Sequence, residues 1–190
     1  MKRLVPHTAL ALLLTFVLTL ALNACGPNVV HDWIPEVCSL PHTVYVDIHS
    51  PSALARSTVE AIDWWNAIAG VEVLVFGGWK SKDAYYHVNE GVVYEAHLTD
   101  GRVGTINWGY NKVNHCMFDF TIRVHDGLLE EERERCLYKV LIHELGHALG
   151  LGHYDNGIMR PSLSRRDEPF LCCESRWDFF KILRNLGLVD

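Results

Sequence analysis

The sequence predicts one α+β domain carried behind an exported leader. Three observations carry that expectation. Its 190 residues have room for one ordinary core and not two. Alternating, β-rich segments cluster between residues 43 and 125, and two helical patterns follow them, so helices are segregated late. An apolar content of 49% is enough to fill such a core. The formal net charge is −6, with no basic run beyond Met1-Lys2-Arg3, so a nucleic-acid partner is excluded.

The leader comes first. Lys2 and Arg3 form a short positive region ahead of the apolar stretch at 9–22, ALALLLTFVLTLAL, which has signal-peptide length. Pro6, His7 and Asn23 cut it short of the roughly 20 apolar residues that a permanent span needs. LNAC follows at 22–25 and resembles the lipobox of bacterial lipoproteins, which implies cleavage before Cys25 and its lipidation. An uncleaved anchor and an ordinary secretory signal are the alternatives. The expected division is 1–24 signal peptide, 25–42 lipidated tether and 43–190 domain. Losing Lys2 and Arg3 leaves 15 basic residues against 23 acidic ones, a formal charge of −8. The resemblance implies a chain held to a bacterial membrane in the cell envelope.

Export gives the remaining cysteines a meaning. Cys38, Cys116, Cys136, Cys172 and Cys173 are expected to form one or two disulfides in an oxidising compartment, in a pairing left open. No Cys-x-x-Cys spacing is present to suggest a cysteine zinc site. Adjacent Cys172 and Cys173 are expected to reach different partners.

Residues 43–49, TVYVDIH, alternate as a strand does. Ser50-Pro51 then offers an N-cap with proline at the first helical position. Leu54, Thr58, Ile62, Trp65 and Ile68 or Ala69 recur at helical spacing, until Gly70 ends the helix. A second strand is expected at 71–76, stopped by a Gly77-Gly78 turn. Three more read at 85–97, 103–110 and 118–125, with TDGR at 99–102 a hairpin turn. A long helix covers 129–150, acidic in its first turn as the helix dipole favours. A last amphipathic helix spans about 175–186, with Trp177, Phe180, Leu183 and Leu186 on one side.

The long helix ends in HELGHALGLGH, residues 143–153. His143 and His147 are one turn apart and about 40° apart around the axis, so both imidazoles reach one ion. Glu144 lies beside them and leans toward the ion without ligating it. Gly150 suits the left-handed conformation that ends a helix, and the reversal lets His153 supply a third nitrogen. Three neutral nitrogens around Zn²⁺ leave a fourth position for water, the pattern of a catalytic site.

HELGHALGLGH matches the extended His-Glu-x-x-His-x-x-Gly-x-x-His motif of the metzincin zinc peptidases. HALGLGH followed by IMRPS resembles the matrixin branch, with Met159 as the Met-turn methionine beneath the metal. The resemblance extends over about 43–188 in order of elements, but its specific part is 142–161. It implies a metzincin-like domain: a twisted mixed β-sheet, an active-site helix, the Met-turn and a C-terminal helix. Departures are present. Only five residues separate His153 from Met159, and 26–42 is too short for a prodomain carrying a cysteine switch. Cys38 is read as a disulfide partner rather than a zinc cap. Matrixins often carry a structural zinc and calcium as well. His49, His87, His97, His115 and His125 do not match that pattern and are assigned no metal, and no residues support calcium. Tyr154 is read as a packing or surface residue rather than a donor to the transition state.

The resemblance implies one catalytic zinc ion on His143, His147 and His153, with Glu144 as general base in the hydrolysis of a protein or peptide substrate. The substrate would pair with an exposed strand edge, for which 103–110 is the candidate. A monomer is expected. Two other readings stay open: a zinc-containing binding or adhesion lipoprotein, and a zinc amidase acting on cell-wall material.

Overall fold

The structure, a computed structural model, describes residues 29–30, 33–99, 101–130, 133–154, 157–161 and 173–190. The leader with Cys25, and Cys172, lie outside the described residues. In chain order the elements are β1 (Val29–Val30), β2 (His42–Val46), α1 (Ser52–Ala69), β3 (Leu74–Trp79), β4 (Glu90–Ala96), β5 (Gly104–Tyr110) and β6 (Met117–His125). A 3-10 turn (Asp126–Leu129), α2 (Glu134–Ala148), β7 (His153–Tyr154) and α3 (Cys173–Asn185) complete them. Five strands form one mixed sheet in the order β3-β2-β4-β6-β5, while β1 and β7 make a separate ribbon. Only β5 runs antiparallel within the sheet, against β6, and it occupies the edge. The expected α+β class with a mixed sheet is the one observed.

Alternation explains the core. Val44 and Val46 of β2 and Phe120, Ile122 and Val124 of β6 are buried together with Leu54, Ile62 and Trp65 of α1 and Leu137, Leu141 and Leu145 of α2. Each such side chain contributes about 1.5–3 kcal/mol relative to exposure. Trp65 joins three elements. Its Nε1 donates to the Ile142 carbonyl of α2 at 2.9 Å, and its ring meets Phe179 of α3 edge-on at 5.1 Å. Among the described side chains of α3, Phe179 and Leu183 are fully buried and Phe180 packs against the core, while the side chain of Trp177 lies outside them.

The other differences have local causes. Ser50 is not the N-cap of α1; its hydroxyl donates to the Glu95 carboxylate instead. The Asn66 side chain accepts from the amides of Val73 and Leu74 at 2.9 and 3.0 Å and donates to the Leu74 carbonyl at 2.9 Å. These bonds hold the chain after Gly70, and β3 starts only at Leu74. Gly77 and Gly78 are not a turn, because β3 runs through them with a register shift opposite Val44 and Tyr45. β4 begins at Glu90 rather than 85, after Asn89 at φ 66°. TDGR is not a hairpin turn either. β6 lies between β4 and β5, so that segment is a crossover.

The stretch before β2 is built into the domain. The Glu36 amide donates to the His115 carbonyl at 3.0 Å, and the Glu36 carbonyl accepts from Met117 at 2.8 Å. Cys38 is disulfide-bonded to Cys116, with a sequence separation of 78. Closing a loop of that length is worth about 4.5 kcal/mol in chain entropy. Cys136 is a free thiol, half-buried near the start of α2. β1 pairs antiparallel with β7, placing Val30 opposite His153. No helix among the described residues is long and apolar enough to cross a membrane.

Candidate active site

The site begins with how α2 stops. The Gly150 amide donates to the His147 carbonyl and the Leu151 amide to the Gly146 carbonyl, both at 3.0 Å. Gly150 has φ 85°. These are the paired bonds of a Schellman cap, which turns the chain back on itself. The reversal does two things. It delivers His153 on β7, and it brings the Leu151 carbonyl to 2.7 Å from His147 Nδ1.

A second carbonyl serves His143. Its Nδ1 lies 2.8 Å from the Ile158 oxygen, one residue before Met159. A carbonyl only accepts, so both rings carry their proton on Nδ1 and present the bare Nε2 lone pair inward. The three Nε2 atoms lie 3.1 Å (His143 to His147), 3.2 Å (His147 to His153) and 3.3 Å (His143 to His153) apart. Tetrahedral zinc with Zn–N bonds of about 2.0–2.1 Å requires about 3.3–3.4 Å between ligand nitrogens. Converging lone pairs repel unless a cation lies between them, and the donor set fits zinc. Burial pushes His143 down to about 4, which keeps the imidazole neutral and able to ligate.

Glu144 is buried against the same cleft and is not one of the converging groups. Burial pushes its carboxyl up to about 8, with Arg102 pulling the other way. A dication beside it would favour the ionised form. The cleft is a cavity of about 600 Å³. The three histidines, Glu144 and Val140 line it together with residues 101–106, Trp108, Trp33, Ile34 and Pro161. The strand expected to face a substrate, β5, is thus both an edge strand and a wall of the cleft.

Met159 is fully buried where a Met-turn residue was expected. Its carbonyl accepts the Tyr154 amide at 3.0 Å, closing the short connection after His153. Tyr154 itself is buried and donates to Asp178 of α3 at 2.7 Å, which makes it a packing residue. Gly146 permits this layering, because a Cβ there would stand 2.4 Å from Met159 Sδ and 2.9 Å from the Trp65 ring. Gly146→Val is therefore expected to lower stability by about 1–3 kcal/mol through overpacking and to weaken zinc binding by displacing Met159. Thermal melts and a zinc titration check this; unchanged values would show that the layer yields freely.

Sequence reasoning did not single out Gly146, Trp33, Ile34, Arg102 or Trp108. For Gly146 a signal existed, since it lies one helical turn after Ile142 on the face that meets Trp65. Away from the cleft, Asp126 lies between His97 Nδ1 at 3.4 Å and His125 Nδ1 at 3.1 Å. That cluster is largely exposed, and His125 Nδ1 already accepts the Gly127 amide at 2.9 Å.

Fold and site together define a metzincin-type zinc metallopeptidase. The fold matches archaemetzincin from Methanopyrus kandleri with a TM-score of 0.53 at 18% identity, over 75% of this chain and 95% of that one. The model of the matrixin family matches residues 57–172, and the chain belongs to that family. Comparison with curated protein sequences finds no match.

Proposed function

We propose that the protein is an exported, lipid-anchored zinc endopeptidase with His143, His147 and His153 as metal ligands and Glu144 as general base. The observation that carries this reading is the convergence of the Nε2 atoms of all three histidines within 3.1–3.3 Å of one another in the cleft that Glu144 also lines. Zinc held there would supply Lewis-acid stabilisation of the developing oxyanion and make water a nucleophile at neutral pH. Glu144 takes the proton of the attacking water and returns it to the leaving amine nitrogen as the C–N bond breaks. The Leu151 and Ile158 carbonyls hold two imidazoles in the ligating tautomer throughout. An extended peptide laid along β5 would place its backbone against the free edge of that strand.

The test is a diverse peptide library beside a panel of cell-wall fragments, each incubated with the zinc-loaded enzyme. Peptide cleavage is the expected result. Cell-wall turnover without peptide cleavage would replace this reading with an amidase, and zinc-bound protein inert to both would make it a binding protein.

Anchoring rests on LNAC at 22–25. Wild type is expected in the membrane fraction with lipid on Cys25, and Cys25→Ser is expected to incorporate none. A wild-type chain that keeps residues 1–24 would rule the lipobox out.

A further inference from the structure

We propose that Trp33, held by the segment before β2, is a specificity-determining residue of the cleft, forming the wall of a subsite for an apolar or aromatic substrate side chain. The inference rests on the peptidase reading above.

Trp33 is 56% exposed, and the segment that carries it is tied to the domain. Its ring meets Tyr110 edge-on at 4.7 Å and His115 edge-on at 6.4 Å. Three residues on, Glu36 is bonded on both sides of its peptide unit to His115 and Met117, and Cys38 is linked covalently to Cys116. A long chain segment is thereby fastened to the β5–β6 hairpin end. What it presents to the cleft is Trp33 together with Ile34.

Position along the cleft follows from β5. Trp108 sits 6.3 Å from His147, ring to ring, and so marks the reaction centre. Tyr110 is two residues further along β5, about 7 Å on, past the register shift against β6 between Gly109 and Tyr110. Trp33 packs against Tyr110 and itself lines the cleft. A peptide extended along β5 advances at the same rise, so the side chain that reaches Trp33 is two or three residues from the scissile bond. An immobilised aromatic face there costs little entropy to use and gains from desolvation, the character of an interface anchor.

The experiment compares kcat/KM for paired peptides that differ only in carrying Phe or Ala two or three residues from the cleaved bond. Wild type is expected to prefer Phe by about tenfold or more, through KM. Trp33→Ala should lose that preference while keeping kcat, zinc content and melting temperature; Trp33→Phe should retain part of it. A Cys38→Ala/Cys116→Ala variant that still melts cooperatively should lose it too, although Trp33 is intact, because the segment is no longer fastened. An unchanged preference in Trp33→Ala overturns this inference and leaves the peptidase reading standing. Wild type that cleaves no peptide overturns both.

Discussion

Replacing Glu144 with alanine is expected to leave zinc bound and to lower kcat by about 10²–10⁴-fold, the usual worth of a positioned general base. The separation of the two readouts is the point. His143 and His147 are oriented by the Ile158 and Leu151 carbonyls, neither of which involves Glu144. Removing the carboxylate therefore leaves the donor set intact and takes away only the group that moves the proton. Glu144→Gln keeps nearly the same volume in a buried position and should be as inactive, which separates lost proton transfer from lost packing. Zinc content by metal analysis and single-turnover cleavage of one library peptide measure the two quantities. Near-normal turnover in both variants would move the base elsewhere.

The second large effect concerns the metal. His153→Ala is expected to weaken zinc affinity by more than the roughly 10–100-fold that loss of an outer hydrogen-bond partner costs. His143 and His147 share one helix and hold their spacing by helical geometry alone. His153 arrives from β7, and its Nε2 closes the triangle at 3.2 and 3.3 Å. Two histidines cannot hold a tetrahedral ion against water as three do. β1–β7 pairing is backbone bonding, so the substitution is expected to spare the fold. A competition titration against a chelator reads the affinity, and an unchanged value would place the third ligand elsewhere.

The candidate site was readable in the sequence because its logic is local. Spacing of four along a helix and a stop at Gly150 are facts of a few adjacent residues, and the structure brings the Nε2 atoms together as that spacing implies. Local signals failed where the partner was a backbone atom or a distant strand. The carbonyls that orient His143 and His147 have no residue type to betray them. Gly77-Gly78 carries the same letters whether it turns or bulges, and only pairing with β2 decides. TDGR misled for a related reason: hairpin or crossover depends on β6, which comes later in the chain. Trp33 lay in a stretch read as tether, and it is a disulfide across 78 positions that carries this stretch to the cleft.

The pairing of Val30 with His153 sets a leash length. Cys25 stands five positions before Val30. Even fully extended, that much chain reaches about 18 Å. An enzyme lipidated at Cys25 would thus hold its metal site within a few lipid-headgroup diameters of the bilayer, too close for a folded domain to slip between. Whatever such an enzyme acted on would have to come within that distance of the bilayer surface.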